Sequence, residues 1–187
     1  MENGNVKVAY VLSVGEKTTY NCCYQLEQLG LKVTLLADTE SKLDKYKKFI
    51  NTANEDCLKV DADVIVNKRI KNAGKLLGDN LIVQLTTFCF YKNDKCIGQP
   101  TIYSKKALDI IKKNIDKLDK DRPETSAWRL PEINDKTKTI DDLYGMHGFF
   151  QDVITMERAK KHKIERDHIK DYDFELAFRL KDFYDQS

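Results

Sequence analysis

The sequence lacks a strong net charge and any long apolar run. Its 187 residues include 32 basic and 30 acidic side chains, a formal charge of only +2, which excludes the global field that drives non-specific nucleic-acid binding. No apolar run approaches the roughly 20 residues that a membrane-spanning helix needs. The first fourteen residues also lack the basic-then-apolar order of a signal peptide. We therefore expect a cytoplasmic protein without a transmembrane segment.

Cysteines are few and show no recognisable spacing. There are five, an odd number, with one adjacent pair and no C-x-x-C: Cys22, Cys23, Cys57, Cys89 and Cys96. This pattern predicts neither a disulfide framework nor a zinc ribbon. A reducing compartment is the simplest setting for such a chain.

Strand and helix patterns alternate through the first third of the chain. "VKVAYVLSV" (6–14), "LKVTLLAD" (31–38) and "CLKVDADVIV" (57–66) predict strands, and helical spacing of apolar residues fills both intervals. This β-α-β-α-β series indicates an α/β fold with a mostly parallel sheet flanked by helices. In such sheets, ligands bind beyond the carboxyl ends of the strands.

The later chain predicts further elements with less regularity. We expect a helix over 67–78, a strand and hairpin over 81–104 that turns at Asn93-Asp94, and an amphipathic helix over 104–118. Residues 119–144 combine many charges with little periodicity, which predicts a long mobile loop. After residue 144, the apolar residues again have helical spacing. Because no internal repeat or low-complexity linker is present, residues 1–187 are expected to form a single domain.

Asp61 and Asp63 raise the main functional question, because they end an apolar strand. An ionised carboxylate there is costly unless a positive group meets it. In an extended segment, residues i and i+2 project to the same side, so both carboxylates can converge on a hard cation that carries substrate phosphates. The alternative is a pair of surface aspartates at a strand end, because D-x-D is common by chance.

The segment "YKKFINTANEDCLKVDADVI" (46–65) gives this pair a context. It resembles the corresponding part of GT-A glycosyltransferases, particularly the inverting family 2 type, in which a helix leads through an acidic or glycine turn to a short strand and D-x-D. Four more segments are similar to family segments in the same order: "YVLSV", "LLADTES", "GQPTIYSKKAL" and "GFFQDVITMERAKKHKI". The resemblance covers residues 6–168 by order and spacing, and implies a single-domain, Rossmann-related GT-A-like fold.

The resemblance implies a donor site for a nucleotide-diphosphate sugar, UDP- or GDP-linked, together with Mn²⁺ or Mg²⁺. By position, Asp61 and Asp63 match residues that reach the metal and the diphosphate, and Asp63 is the expected direct ligand. Ser13 and Asp38 match residues that border the nucleotide base. Lys48 matches a position from which ribose or phosphate can be reached.

The resemblance also implies catalytic and acceptor residues later in the chain. Asp152 is the expected base, which takes the proton of an acceptor hydroxyl during an inverting transfer; alternatively it only stabilises a helix N-terminus. His147 and His168 are candidate additional metal ligands, weighed against packing or surface roles. Trp128, in the predicted acceptor loop 119–144, either stacks on a sugar or anchors the loop in the core. The sequence does not specify whether the acceptor is a glycan, lipid, protein or nucleic-acid base, and it does not specify the oligomeric state.

Two departures from the family pattern leave a second function open. D-x-D occurs earlier in this chain than in most family members, and Gln151 replaces the first acid of the family's late acidic pair. This trimmed version could be a non-catalytic remnant that binds nucleotide sugar or protein. A nucleotidyltransferase is less favoured, because it needs a glycine-rich, basic loop after the first strand, and "SVGEKTTY" offers one glycine and one lysine.

A phosphatase of the haloacid dehalogenase type is a third alternative, because it also places D-x-D at a strand end. Its further residues would be Thr86, Lys105 or Lys106, and the acidic pair Asp141-Asp142. Its nucleophile normally follows the first strand, however, and two strand-helix units precede Asp61. We therefore rank this function behind the other two.

Overall fold

The computed structural model of the protein describes residues 6–37, 41–89 and 94–148. These residues form an α/β fold with one seven-stranded sheet flanked by helices, which confirms the predicted class. The strands are β1 (Val8–Ser13), β2 (Lys32–Ala37), β3 (Cys57–Asp61), β4 (Val64–Val66), β5 (Ile82–Cys89), β6 (Asp94–Tyr103) and β7 (Thr137–His147).

The described helices are short. They are α1 (Thr19–Gln28), α2 (Lys42–Thr52), α3 (Lys105–Lys113), α4 (Pro123–Trp128) and α5 (Pro131–Asn134), with 3-10 helices at Lys68–Leu76 and Ile115–Lys117. Ser41 and Ser104 begin α2 and α3 by accepting a backbone N–H bond on the side-chain oxygen. Among the described helices, none has the length and apolarity needed to cross a bilayer.

The parallel part of the sheet is confined to its first half and to one later pair. The strand order is β2-β1-β3-β6-β5-β7-β4. Strands β2, β1 and β3 run parallel, so Ser13, Ala37 and Asp61 end at one edge. The β5–β7 pair is also parallel, whereas β3–β6, β5–β6 and β4–β7 are antiparallel. The described sheet is therefore mixed.

The connection from β3 to β4 shows that the sheet curves. Only Ala62 and Asp63 separate these strands, yet β4 pairs with β7 at the far end of the strand order. The far edge must therefore return to the end of β3. Gly145 permits the close approach of β7 and β4, since a Cβ there would lie 2.3 Å from the carbonyl oxygen of Ile65.

Apolar residues cover both faces of the sheet. One core contains Tyr46, Phe49 and Tyr103 and lies under α2 to α5. The other contains Leu26, Leu58 and Val60 and lies under α1 and the longer 3-10 helix. Because side chains alternate along a strand, Lys59 shares the first face with Cys57 and is carried into that core.

Three predicted elements differ from the structure, the first being the strand expected over 57–66, which a turn at Ala62-Asp63 divides into β3 and β4. Residues 119–144 are not one long loop, since they contain α4, α5 and the start of β7. Pro123 and Pro131, which suggested a loop, instead take first-turn helix positions, where the missing N–H costs nothing. The helix predicted over 67–78 is a 3-10 helix at Lys68–Leu76. The predicted hairpin is confirmed by the antiparallel pairing of β5 with β6.

Candidate functional site

The loop after β1 is closed by its own side chains. Ser13, which is buried, donates its hydroxyl to the Glu16 carboxylate at 2.7 Å and lies 2.7 Å from the Thr19 hydroxyl. The same carboxylate accepts the Val14 backbone N–H at 2.7 Å. The Glu16 carboxylate therefore accepts a backbone N–H that, in a phosphate-binding loop, would be donated to the ligand. Ser13, predicted to border a nucleotide base, shapes this loop.

The backbone of the Asp61-Ala62-Asp63 turn is held by three neighbouring segments. Ala62 N–H donates to Leu12 of β1 at 2.9 Å, and Ala62 C=O accepts the Thr18 hydroxyl at 2.8 Å. Asp63 C=O accepts the Gly148 N–H, also at 2.8 Å. These bonds fix the acidic turn against the end of β1, the start of α1 and the residue that follows β7.

Asp61 has partners on both carboxylate oxygens. Its Oδ1 lies 2.7 Å from the Lys59 ammonium, and its Oδ2 accepts the Gln99 amide at 2.5 Å. The Lys59 side chain is 0% exposed and also contacts the Glu124 carboxylate of α4. The positive partner that the sequence requires for Asp61 is thus a lysine two residues earlier in the same strand.

The pKa values of the buried triad follow from this arrangement. Burial alone would lower the pKa of Lys59, but the Asp61 and Glu124 carboxylates raise it above its ordinary value of 10.5, so the ammonium stays charged. Burial raises the pKa of Glu124, while Lys59 opposes the rise and Asp61 adds to it. Such an ion pair is expensive to break, because the remaining buried charge would have no counter-charge.

Asp63 meets a different partner, His147. The two face each other because Val64 pairs with His147 in the β4–β7 register, and Oδ2 lies 3.3 Å from Nε2. Both side chains are largely buried, at 14% and 11% exposed. Burial alone would lower the pKa of His147, but Asp63 and hydrogen bonds to Asp63, Cys89 and Cys96 raise it well above 6.5.

The two carboxylates do not share one extended segment, which corrects the predicted geometry. β3 ends at Asp61, and Ala62 and Asp63 form a turn before β4. Both carboxylates are nevertheless close enough to influence the Cys22 thiol of α1. Burial and Cys23 raise the pKa of this thiol, and the charges of Asp63 and Asp61 raise it further. The pair therefore forms one acidic region in which each member has its own partners.

A cation that contacts the end of β1 was not predicted from the sequence. Lys45, on α2, is buried and donates from Nζ to the Ser13 carbonyl at 2.7 Å. Lys48, which the resemblance favoured, is exposed one turn later on the same helix. The spacing could have revealed Lys45, because it shares an apolar helix face with Phe49.

Trp128 lies at the edge of the core. Its indole N–H donates to the Tyr103 hydroxyl at 3.2 Å, and its ring covers Gly98 so closely that a Cβ there would lie 2.7 Å from it. It also packs against the core under α2 to α5. These contacts are those of an anchor, the second of the two predicted roles. Contact with an acceptor sugar stays a prediction.

A cluster of two thiols and an imidazole was also missed. Cys89, Cys96 and His147 bring their Sγ and ring nitrogen atoms within 4.8 Å of one another. Their signal in the sequence is weak but present, since Cys89 and Cys96 flank the predicted hairpin turn from opposite strands. His147, predicted as a metal ligand, is the third member.

Three predicted site residues, Asp38, Asp152 and His168, lie outside the described residues. The base contact of Asp38, the catalytic role of Asp152 and the metal ligation of His168 therefore stay predictions.

The residues of the phosphatase alternative have other partners. Thr86 is buried in β5 and donates its hydroxyl to Ile140. Asp141 lies 3.0 Å from the Lys95 ammonium and Asp142 lies 4.0 Å from Arg69, both on the surface. Lys105 pairs with Asp109 on its own helix. These contacts leave the phosphatase constellation unassembled.

Comparison with known structures identifies the architecture. A glycosyltransferase involved in the glycosylation of the major capsid of PBCV-1 superposes with a TM-score of 0.55 at 13% identity, over 82% of this chain and 98% of the other. The fold is GT-A-like. The 4-diphosphocytidyl-2C-methyl-D-erythritol synthase of Anaerococcus prevotii DSM 20548 gives 0.53 at 10% identity, over 86% and 97% of the two chains. A197 from STIV gives 0.56 at 12%, over 76% and 85%.

Comparison by sequence alone finds no match. No protein-family model matches the chain, and no curated protein matches it. At identities of 10 to 13%, the solved structures establish the shared GT-A-like fold and leave the chemistry to be argued from the site.

Proposed function

We propose that the protein binds a UDP- or GDP-linked sugar and transfers the sugar, with inversion, to an acceptor hydroxyl. One observation carries the proposal: the acidic turn lies at the carboxyl ends of parallel β1 and β3 in a GT-A-like fold. Ligands of open α/β sheets bind at this edge. The reducing cytoplasm, which suits the five cysteines, is the proposed location.

The acidic turn fits a hard divalent ion, Mn²⁺ or Mg²⁺. Such ions are held by one or two carboxylates together with substrate phosphates. Asp63 is the proposed direct ligand, because it matches that position in the family resemblance, and Asp61, whose oxygens contact Lys59 and Gln99, supports the turn. When bound, the ion stabilises the charge that develops on the leaving diphosphate.

The remaining proposed roles belong to the chain's own residues. The Ser13 loop and Asp38 border the nucleotide base, and Lys48 reaches ribose or phosphate. Asp152 takes the proton of the acceptor hydroxyl on the face opposite the leaving group. The roles of Asp38, Lys48 and Asp152 rest on the sequence resemblance.

The loop after β1 favours sugar transfer over nucleotidyl transfer. A nucleotidyltransferase needs backbone N–H groups that face its substrate phosphates. In this loop the Val14 N–H is bound by Glu16, whose negative charge would also repel a phosphate. A non-catalytic remnant would keep the donor site and lack turnover, so turnover is the property to measure.

The test is donor-dependent release of nucleotide. The full chain is incubated with UDP- and GDP-sugars, with and without Mn²⁺, in the presence of glycan, lipid, peptide and nucleoside acceptors, and released UDP or GDP is measured. Asp63→Ala should abolish release. Asp79→Ala is the matched control, because Asp79 is exposed before β5, at the opposite edge of the sheet.

Each outcome has a definite meaning. Metal-dependent release that is lost in Asp63→Ala and kept in Asp79→Ala supports the proposal. Metal-dependent nucleotide binding without release from any donor would identify a remnant. Failure to bind either nucleotide in the folded protein would overturn the donor site.

A further inference from the structure

Three strands place two thiols and one imidazole on the same face at one end of the sheet. Cys89 ends β5 and His147 ends β7, and the two are direct neighbours in the parallel register. Cys96 on β6 pairs with Thr87, which makes it the diagonal neighbour of Cys89. The His147 Nδ1 lies 3.2 Å from the Cys89 Sγ, and the three ligand atoms fall within 4.8 Å of one another.

We propose that Cys89, Cys96 and the Nδ1 of His147 form a binding site for Zn²⁺ or a similar borderline-soft cation. Thiolate and imidazole ligands favour zinc, whereas Mg²⁺ and Mn²⁺ favour oxygen ligands. Zinc bonds of about 2.3 Å to sulfur and about 2.1 Å to nitrogen place tetrahedral ligand atoms roughly 3.6 Å apart. The cluster matches this spacing closely enough for small side-chain rotations to complete it.

The other ring nitrogen of His147 has the partner that such a site requires. A zinc-bound histidine usually donates its second N–H to a carboxylate, which fixes the ring and its tautomer. Here Nε2 faces the Asp63 carboxylate at 3.3 Å. On this proposal, His147 would bind a second metal beside the acidic turn; its predicted ligation of the donor metal stays untested.

The burial of the three side chains also suits a metal site. Cys89 and His147 are buried, while Cys96 is partly exposed and offers an entry path for the ion. Three protein ligands leave the fourth tetrahedral position to a water molecule. On binding, both thiols release their protons to solvent, as does the Nδ1 position if it is protonated. The three ligands of this site are separate from the proposed donor contacts, and the two sites share only Asp63, through its contact with His147.

The test measures metal binding directly. The full chain, purified under reducing conditions and stripped with a chelator, is titrated with Zn²⁺ against a chromophoric chelator and, separately, with Co²⁺. We expect one ion per chain, a thiolate-to-cobalt charge-transfer band, and X-ray absorption showing two sulfur neighbours at about 2.3 Å. Cobalt and X-ray absorption spectra of the unmutated protein report the ligands without relying on any variant.

Variants then assign the ligands. Cys96→Ser and His147→Gln should each weaken zinc binding by at least about tenfold, in line with the loss of one coordinating group. Cys23→Ser is the matched control, because Cys23 is also partly exposed but lies on α1 and is not one of the clustered residues, and it should bind as the unmutated chain does. Circular dichroism of each metal-free variant verifies folding.

Three results would overturn the proposal. The first is a stripped protein that binds no zinc, and the second is zinc binding that Cys96→Ser leaves unchanged. The third is a Cys89–Cys96 disulfide in the reduced preparation, shown by three rather than five titratable thiols in the unfolded chain. Because the readout is metal content and ligand type, loss of nucleotide binding would not affect it.

Discussion

The two aspartates of the acidic turn are two residues apart, yet their surroundings differ. Asp61 is the more exposed, at 32%, but a fully buried lysine and an amide engage its oxygens. Asp63 is 14% exposed and faces His147 across the β4–β7 pair. The more exposed acid is therefore the one that is tied to a fully buried cation.

On the proposals above, this contrast divides the motif into a structural and a functional half. Asp61 belongs to a triad that ties β3 to α4 through Lys59 and Glu124. Asp63 lies beside a histidine that also faces two thiols. The first acid secures the turn, and on the present proposals the second acid serves the bound metals.

The largest expected effect comes from removing the cation of the triad. Lys59→Met should lower the free energy of unfolding by about 3–5 kcal/mol, because Asp61 and Glu124 would remain without a counter-charge. Urea unfolding followed by circular dichroism measures the change. A loss below about 1 kcal/mol would mean that the triad does not hold the turn.

A smaller effect should separate the two acids. Asp61→Asn removes a charged partner of Lys59 and should lower the free energy of unfolding by about 1.5–3 kcal/mol. Asp63→Asn should cost less, because an imidazole left without its carboxylate can lose a proton, whereas the Lys59 ammonium stays charged. The same urea experiment compares both variants. An equal loss of unfolding free energy in the two would contradict the different roles proposed for Asp61 and Asp63.

A pH series sharpens the assignment to Lys59. Its pKa is raised in the folded state above 10.5, so its contribution is fully present below 10.5 and is lost as pH rises through the folded-state pKa. The stability difference between the unmutated chain and Lys59→Met should not fall between about pH 6 and 9, and it should shrink above about pH 10.5. A difference that shrinks already near neutral pH would contradict a charged Lys59.

The smallest effect should come from an exposed ion pair of similar length. Lys95 lies 3.0 Å from Asp141, and their side chains are 49% and 80% exposed. Lys95→Met should cost only about 0.2–1 kcal/mol, because solvent screens the pair. Lys95→Met is the matched control for Lys59→Met. If both variants lose the same free energy of unfolding, burial does not explain the effect of Lys59→Met.

Much of the fold follows from local sequence patterns. The strands over residues 6–14, 31–38 and 57–66 are apolar and β-branched, so the start of the α/β series could be predicted. β7 was missed because its first half is exposed and carries charges that resemble a loop. α4 and α5 were missed because prolines mark loops and helix starts alike.

The site was harder to predict because it depends on strand register. Lys59 and Asp61 share a strand face by the period of two, so their contact could have been predicted. The thiol–imidazole cluster draws on β5, β6 and β7, and β5 contains register irregularities with both neighbours near Thr86. Since a one-residue slip moves a side chain to the other face, local spacing alone does not place Cys89 beside His147.

Isothermal titration of UDP and GDP into the unmutated chain, Asp61→Asn and Asp63→Asn, with and without Mn²⁺, shows which of the two aspartates binds the donor's metal. We expect Asp63→Asn to lose the metal-dependent gain in affinity, by about tenfold or more, while folded Asp61→Asn keeps most of it. Loss of the gain in Asp61→Asn alone, or no metal-dependent binding in the unmutated protein, would contradict this expectation.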